Sequence, residues 1–240
     1  MPAVRNAVLI LSALVCAAHA DTITYLTQQR SVDALLEFSP DGGSPTAFQS
    51  GASTSNTGWF DENATAADSG YASSASQHSQ IHSLGVLADG SASLGKPLLG
   101  GDLTAHQTVL SSLVVEFSVL ADTLYYLNAN FTFNADTGGM ITASGAMSAS
   151  LSGVGGDIFE QANSFPTPDS FADIDFASSG VLAPGTYTLS IDTEIALTSL
   201  PYEIGGDALA SYQIDFGLVP EPAGALLLTT VSVIALRRRR

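Results

Sequence analysis

Apolar and polar positions alternate with a period of two along most of this chain, and residues 21–219 hold no long stretch with a 3.6-residue period. Alternation of that kind buries one set of side chains and leaves the other in water, which is the signature of strands. The clearest segment is 125–133 (YYLNANFTF), where Leu127, Ala129, Phe131 and Phe133 share one face and Asn128, Asn130 and Thr132 the other. That pattern predicts a half-buried antiparallel strand. Residues 114–120 predict a second, and Ala121-Asp122-Thr123 between them suits a short reversal. Further strands are expected at 22–26, 140–151, 171–176, 187–197 and 208–218. Two tight turns are expected as well. Pro184-Gly185 reads as a type II turn with glycine at positive φ, and Asp89-Gly90 as a type I′ hairpin. Gly-Gly-Asp recurs at 100–102, 155–157 and 205–207 with unrelated flanks, so it marks turns rather than repeats.

Nine to eleven strands at this spacing predict an all-β fold, a single antiparallel β-sandwich of jelly-roll or other Greek-key topology. Residues 40–80, rich in Ser, Ala, Thr and Gly, are expected to form a long loop or a loosely packed edge hairpin. Trp59, the only tryptophan, is expected to plug that segment onto the core, with exposure as a sugar-stacking platform as the alternative. Tyr125 and Tyr126 point to opposite faces, so at most one of them is core.

Charge changes the picture in two places. The 240 residues carry 23 acidic and 7 basic side chains, a formal net charge of -16, which excludes a nucleic-acid backbone binder. The basic residues also cluster at the ends: Arg5 near the start and Arg237, Arg238, Arg239 and Arg240 at the finish, leaving Arg30 and Lys96 between. Residues 1–20 combine Arg5, an eleven-residue apolar run at 7–17 and the small residues Ala18 and Ala20, as a secretory signal does. Cleavage is expected before Asp21. The apolar run is too short for an anchor, and a lipoprotein reading through Cys16 is disfavoured by Val15 before it. Cys16 is the only cysteine, so a mature body starting at 21 has no disulfide, thiolate metal site or cysteine nucleophile.

The other end reads Pro220-Glu221-Pro222, then fourteen uncharged residues at 223–236, then four arginines. Arginines after an apolar run stay on the cytoplasmic side, which places the body outside. At ~1.5 Å per residue the run reaches about 21 Å, short of the ~30 Å hydrocarbon core, and this suits a transient stop better than a permanent anchor. In this order the three features resemble the PEP-CTERM sorting signal of exopolysaccharide-producing Gram-negative bacteria. The resemblance implies that Pro220-Glu221-Pro222 is recognised by a membrane-embedded exosortase. It further implies signal peptidase processing, transient membrane anchoring, and delivery to the cell surface or extracellular matrix. The domain division is then a signal peptide at 1–20, a body at 21–219 and a sorting tail at 220–240.

Candidate chemistry within the body is sparse. His78 and His82 on a strand share a face at about 13 Å, too far apart for one zinc ion, and His106 stands alone. Asp173 and Asp175 lie at i and i+2 near Asp169, a set that suits a calcium ion or a retaining glycosidase pair. No Gly-x-Ser-x-Gly elbow or phosphate loop is present. The expected function is therefore a non-enzymatic exported surface or matrix protein associated with exopolysaccharide, with calcium as the conceivable ion and no cofactor. A secreted glycan hydrolase, or a protein self-assembling through small-residue edges such as 144–150, is the alternative.

Overall fold

The computed structural model describes residues 23–40, 46–55, 58–68, 70–96, 103–136, 142–166, 171–199 and 206–220. They form twelve strands: β1 (Ile23–Pro40), β2 (Thr46–Thr54), β3 (Gly58–Asp68), β4 (Tyr71–His82), β5 (Gly85–Lys96), β6 (Leu103–Val119), β7 (Thr123–Asp136), β8 (Thr142–Gly153), β9 (Gly156–Pro166), β10 (Phe171–Leu182), β11 (Gly185–Ser199) and β12 (Gly206–Pro220). Two six-stranded antiparallel sheets face each other, ordered β2-β1-β6-β11-β8-β9 and β10-β7-β12-β5-β4-β3. The chain crosses from sheet to sheet repeatedly, for instance at β5–β6, β6–β7 and β11–β12, which interlocks them.

The predicted sandwich is present, and the inward residues of β7 and β12 are those the alternation picks out: Leu127, Phe131, Phe133, Tyr212, Ile214 and Phe216 are all buried. Tyr125 is buried and Tyr126 exposed, as the strand geometry requires. Residues 40–80 bear out one part of the expectation and correct the other. Of the two expected forms the edge hairpin is the one present, as β3–β4, but the long loop is replaced by a further strand, β2. Their small residues still alternate: Ser73, Ala75, Gln77 and Ser79 point inward while Ser74, Ser76 and His78 do not.

Small inward side chains let the sheets approach closely on this side, so polar groups can reach across the gap. Gln107 on β6 donates through Nε2 to the Ala72 and Gly95 carbonyls at 3.1 and 3.2 Å. Gln77 on β4, its amide nitrogen turned inward, donates to the Ser31 and Ser112 carbonyls at 3.2 Å each. Each glutamine thus clamps two adjacent strands of the opposite sheet and satisfies its own buried amide nitrogen. On the far side, where β7 and β10 face β8 and β9, rings fill a wider space. Phe159 stacks on Phe176 at 5.2 Å and Phe133 on Phe165 at 5.1 Å.

The Asp89-Gly90 turn is corrected, while the Pro184-Gly185 turn keeps its place without the expected glycine conformation. Asp89 and Gly90 lie inside β5, and the reversal falls at Ser83-Leu84. Gly90 is a packing residue: a Cβ there would sit 2.6 Å from the ring of its cross-strand partner Tyr212. Gly217 pairs with Tyr126 in the same way. A ring over a strand glycine covers backbone that would otherwise be bare. Gly185 opens β11 and is not among the positive-φ glycines of the described residues, which are Gly58, Gly70 and Gly156. Gly156, in the second Gly-Gly-Asp, does serve a turn. The small-residue stretch 144–150 belongs to β8, which pairs on both sides, so it offers no free edge. The edges are β2 and β9 in one sheet and β10 and β3 in the other.

Buried tyrosines give the fold an alkaline limit. Desolvation pushes the Tyr25 hydroxyl up to about 12 and raises Tyr212 as well, with Ser111 Oγ at 2.9 Å from the Tyr212 hydroxyl. An unfolded tyrosine ionises near ~10. Raised native values mean the unfolded chain loses its protons first, so stability is complete below pH ~10 and falls above it. Tyr212→Phe should cost about 1–2 kcal/mol at neutral pH by stranding Ser111, yet make the decline above pH ~10 shallower. Urea titrations at both pH values check this; parallel curves for variant and parent would contradict it.

Candidate functional site

Register decides which outward residues meet. On the outer face of the β10-β7-β12-β5-β4-β3 sheet, one row of paired residues runs Asp175, Asn130, Gln213, Asp89, His78, Asp61 from edge to edge. The next row runs Ala177, Asn128, Asp215, Leu87, Gln80, Trp59. All of these residues except Asp61 and Gln80 line a trough of about 750 Å³ on the sheet surface. Six strands at a spacing of ~4.8 Å make it about 24 Å long. It is open to solvent along its length and lies across the strands.

Trp59 stands at one end, on edge strand β3, with 64% of its surface exposed, while its neighbour Phe60 turns inward at 4%. The expected plug is therefore Phe60, and Trp59 is the outward side chain, because adjacent residues in a strand take opposite faces. The indole meets the His78 ring edge to face at 4.8 Å, and His78 Nδ1 lies 3.9 Å from Asp61 Oδ1. His78 and His82 do share the outer face of β4, and His106 is on the other sheet, hydrogen-bonded to Thr198 at 3.1 Å. His78 thus has a role that spacing alone did not reveal; only its pairing with β3 shows it.

Beneath Trp59 the chain is fixed from inside. Arg30 on β1 is fully buried, its guanidinium 5.4 Å from the centre of the Phe60 ring. Its Nη1 donates to the Gly58 carbonyl at 2.8 Å and the Ser79 carbonyl at 3.2 Å. Gly58 and Phe60 flank Trp59 in sequence, so one buried cation of the opposite sheet holds the backbone on one side of the platform and the Phe60 ring on the other. Desolvation lowers the Arg30 pKa from its ordinary value.

At the other end Asp173 and Asp175 project together from edge strand β10, as their i, i+2 spacing predicts. Both accept from Asn130 Nδ2, at 2.9 and 2.8 Å. Asp169 lies outside the described residues, as do Ala18, Ala20, Asp21, Glu221, Pro222 and the arginines 237–240; Pro220 closes β12 opposite Thr123. Among the described residues no three His, Cys, Asp or Glu side chains are grouped to hold a metal ion, and no helix is long and apolar enough to cross a membrane. Tyr126 stands two residues along β7 from the lining residue Asn128, and desolvation, then the Asp215 carboxylate, raises its hydroxyl above the ordinary phenol value.

The trough therefore combines an aromatic platform, amide groups that donate and accept, and the carboxylates of Asp89, Asp175 and Asp215, with Asp61 beside it. Such a set matches a ligand dense in hydroxyl groups with an apolar ring face. It does not match an anion.

Neither a family model nor a curated protein matches the chain. Among solved structures, it is similar to the enzymatically active domain of tailspike protein 4 of Bacteriophage CBA120, at 15% identity and a TM-score of 0.25 over 68% of this chain and 20% of that one. It spans about a fifth of that protein's length. It is also similar to TmCBM61, solved in complex with beta-1,4-galactotriose, at 15% identity and a TM-score of 0.22 over 50% of this chain and 72% of that one. A third likeness, to carbohydrate-binding modules of the β-sandwich superfamily, has 9% identity and a TM-score of 0.20 over 82% and 99%.

Proposed function

We propose that this protein binds a neutral polysaccharide without cleaving it, in the trough across the outer face of the second sheet. The observation that carries this reading is the register that lines Trp59, His78, Asp89, Gln213, Asn130 and Asp175 along one transverse channel. A channel open at both edges takes the interior of a long polymer, with no wall to select a chain end. Trp59 supplies a face for the apolar side of a sugar ring, and the amides and carboxylates take hydroxyl groups. Four carboxylates in and beside the trough repel a polyanion unless cations bridge the two. The non-catalytic reading is supported by the exposure of Asp173 and Asp175, since a general acid needs an enclosing apolar site to keep its proton.

Co-sedimentation of the purified protein with insoluble neutral polysaccharides of differing linkage tests this, run with calcium and with chelator. Retention on at least one of them in both conditions is expected, with no reducing ends released. An acidic polysaccharide should fail to retain it at low ionic strength, where repulsion is least screened. Retention by none of the neutral polymers would overturn the proposal, and release of fragments would turn it toward the hydrolase reading. Binding that needs calcium would point instead to an ion at the Asp173–Asp175 end.

Export and sorting are part of the same proposal: the body reaches the cell surface or matrix on its PEP-CTERM tail. Replacing Pro220, Glu221 and Pro222 together with alanine should leave full-length precursor in the membrane fraction. Normal tail loss in that variant would refute the sorting role.

A further inference from the structure

All four described tight connections at one end of the sandwich expose an apolar side chain in or beside the turn. They are Leu84 between β4 and β5, Leu120 between β6 and β7, Val154 between β8 and β9, and Val181 just before the β10–β11 turn. Val154 is 94% exposed and Leu120 66%. Val181 continues into a row, since it pairs with Leu124, which pairs with Val219, and all three are exposed on the outer face of the sheet. The end is firmly built: the Leu84 carbonyl accepts from the Leu218 N–H at 2.7 Å, tying the β4–β5 turn to the finish of β12. Apolar residues at turn tips gain nothing from the core beneath them, and water is their most costly surroundings.

What lies next to this patch in the chain points to its occupant. Val219 is followed by only three residues before the uncharged apolar run at 223–236 begins. Three residues span at most about 10 Å, so a run placed in a bilayer would hold this end of the sandwich against the lipid surface. The acidic groups at this end are Asp122 and Asp157, with Glu221 following in sequence, and none of the described residues here is Lys or Arg. That chemistry fits the interface of a zwitterionic membrane and gains nothing from anionic lipid.

We infer that the turn-bearing end, with Leu84, Leu120, Leu124, Val154, Val181 and Val219, seats in the interfacial layer of a lipid bilayer while the tail is in place. The strands then stand along the membrane normal. Asn128 and Asn130 are four and six residues up β7 from Leu124, so at ~3.3 Å per residue the trough is held about 13–20 Å above the surface. It lies across the strands, and so runs parallel to the membrane. The apolar end thereby holds the binding face clear of the lipid surface. This seating does not depend on what the trough binds.

The test uses the full chain with Cys16→Ser, a single new cysteine and an environment-sensitive dye, mixed with phosphatidylcholine vesicles that carry a lipid-borne quencher. Val154→Cys places the dye at the apolar end, and Asp136→Cys places it at the far end of β7. The expected result is at least threefold stronger quenching at position 154 than at 136 in vesicle-bound protein. Vesicle binding with equal, weak quenching at both sites would overturn the seating and leave the tail as a loose tether, or as a segment folded onto the patch. Failure to bind vesicles at all would overturn the seating too. Leu120→Cys serves as a second reporter should the label at 154 perturb its turn.

Discussion

Arg30→Ala should destabilise the protein by about 3–5 kcal/mol, the largest loss expected from any one side chain. Three effects add. The guanidinium leaves the Gly58 and Ser79 carbonyls without their donor, its contact with Phe60 vanishes, and a cavity opens between the sheets. Arg30→Met keeps much of the volume and the packing on Phe60 and should lose about half as much, because a buried ion is costly to desolvate and its replacement is not. Urea unfolding measures both. A loss below about 1 kcal/mol for the alanine variant would mean that the charge contributes nothing net. The same variants carry a functional readout, because Trp59 is the sole tryptophan and lies between two residues that Arg30 holds. Its fluorescence anisotropy should fall in Arg30→Met even under conditions where the variant remains folded.

Trp59→Ala should weaken polysaccharide binding by about 30-fold, on the order of 2 kcal/mol, with stability changed by less than about 0.5 kcal/mol. The two numbers diverge because the indole is mostly in solvent, touching His78 and little of the core. Trp59→Phe should restore part of the affinity, since a smaller ring still offers a stacking face. Titration of the bound polymer by depletion, next to a denaturation curve, separates the effects. Equal affinity in Trp59→Ala and parent would remove the platform from the site and place recognition on the amide and carboxylate rows alone.

How far the chain could be read in advance varies by segment for physical reasons. In β7 the apolar side chains are large, so their burial makes the period of two plain, and Leu127, Phe131 and Phe133 are where the pattern puts them. In β4 the same period is carried by Ser73, Ala75, Gln77 and Ser79, which hydropathy does not distinguish from a loop. What ties that segment into the sandwich is Gln77 and Gln107 reaching across to the opposite sheet, Gln77 to Ser31 and Ser112 and Gln107 to Ala72, each 35 or more positions away. Gly90 misled in the opposite direction: beside Asp89 it has turn chemistry, but the Tyr212 ring above it shows a strand glycine chosen for close approach. The candidate site was half legible. Trp59 and Asp175 stood out as an isolated aromatic and one of a close carboxylate pair, and neither gave any sign of the other.

The sequence by itself determined the class of fold and the facing of each strong strand, because alternation is a local property written in consecutive residues. It likewise set the acidic balance of the body and the apolar and basic order of the last twenty residues. Only the tertiary structure decided that Arg30 is a core residue, that Phe60 and not Trp59 turns inward, and that Trp59 and Asp175 end one trough. These facts depend on strand order and register between segments more than a hundred residues apart. A one-residue slip would send each side chain to the other face, and local sequence carries no record of which neighbour a strand will find.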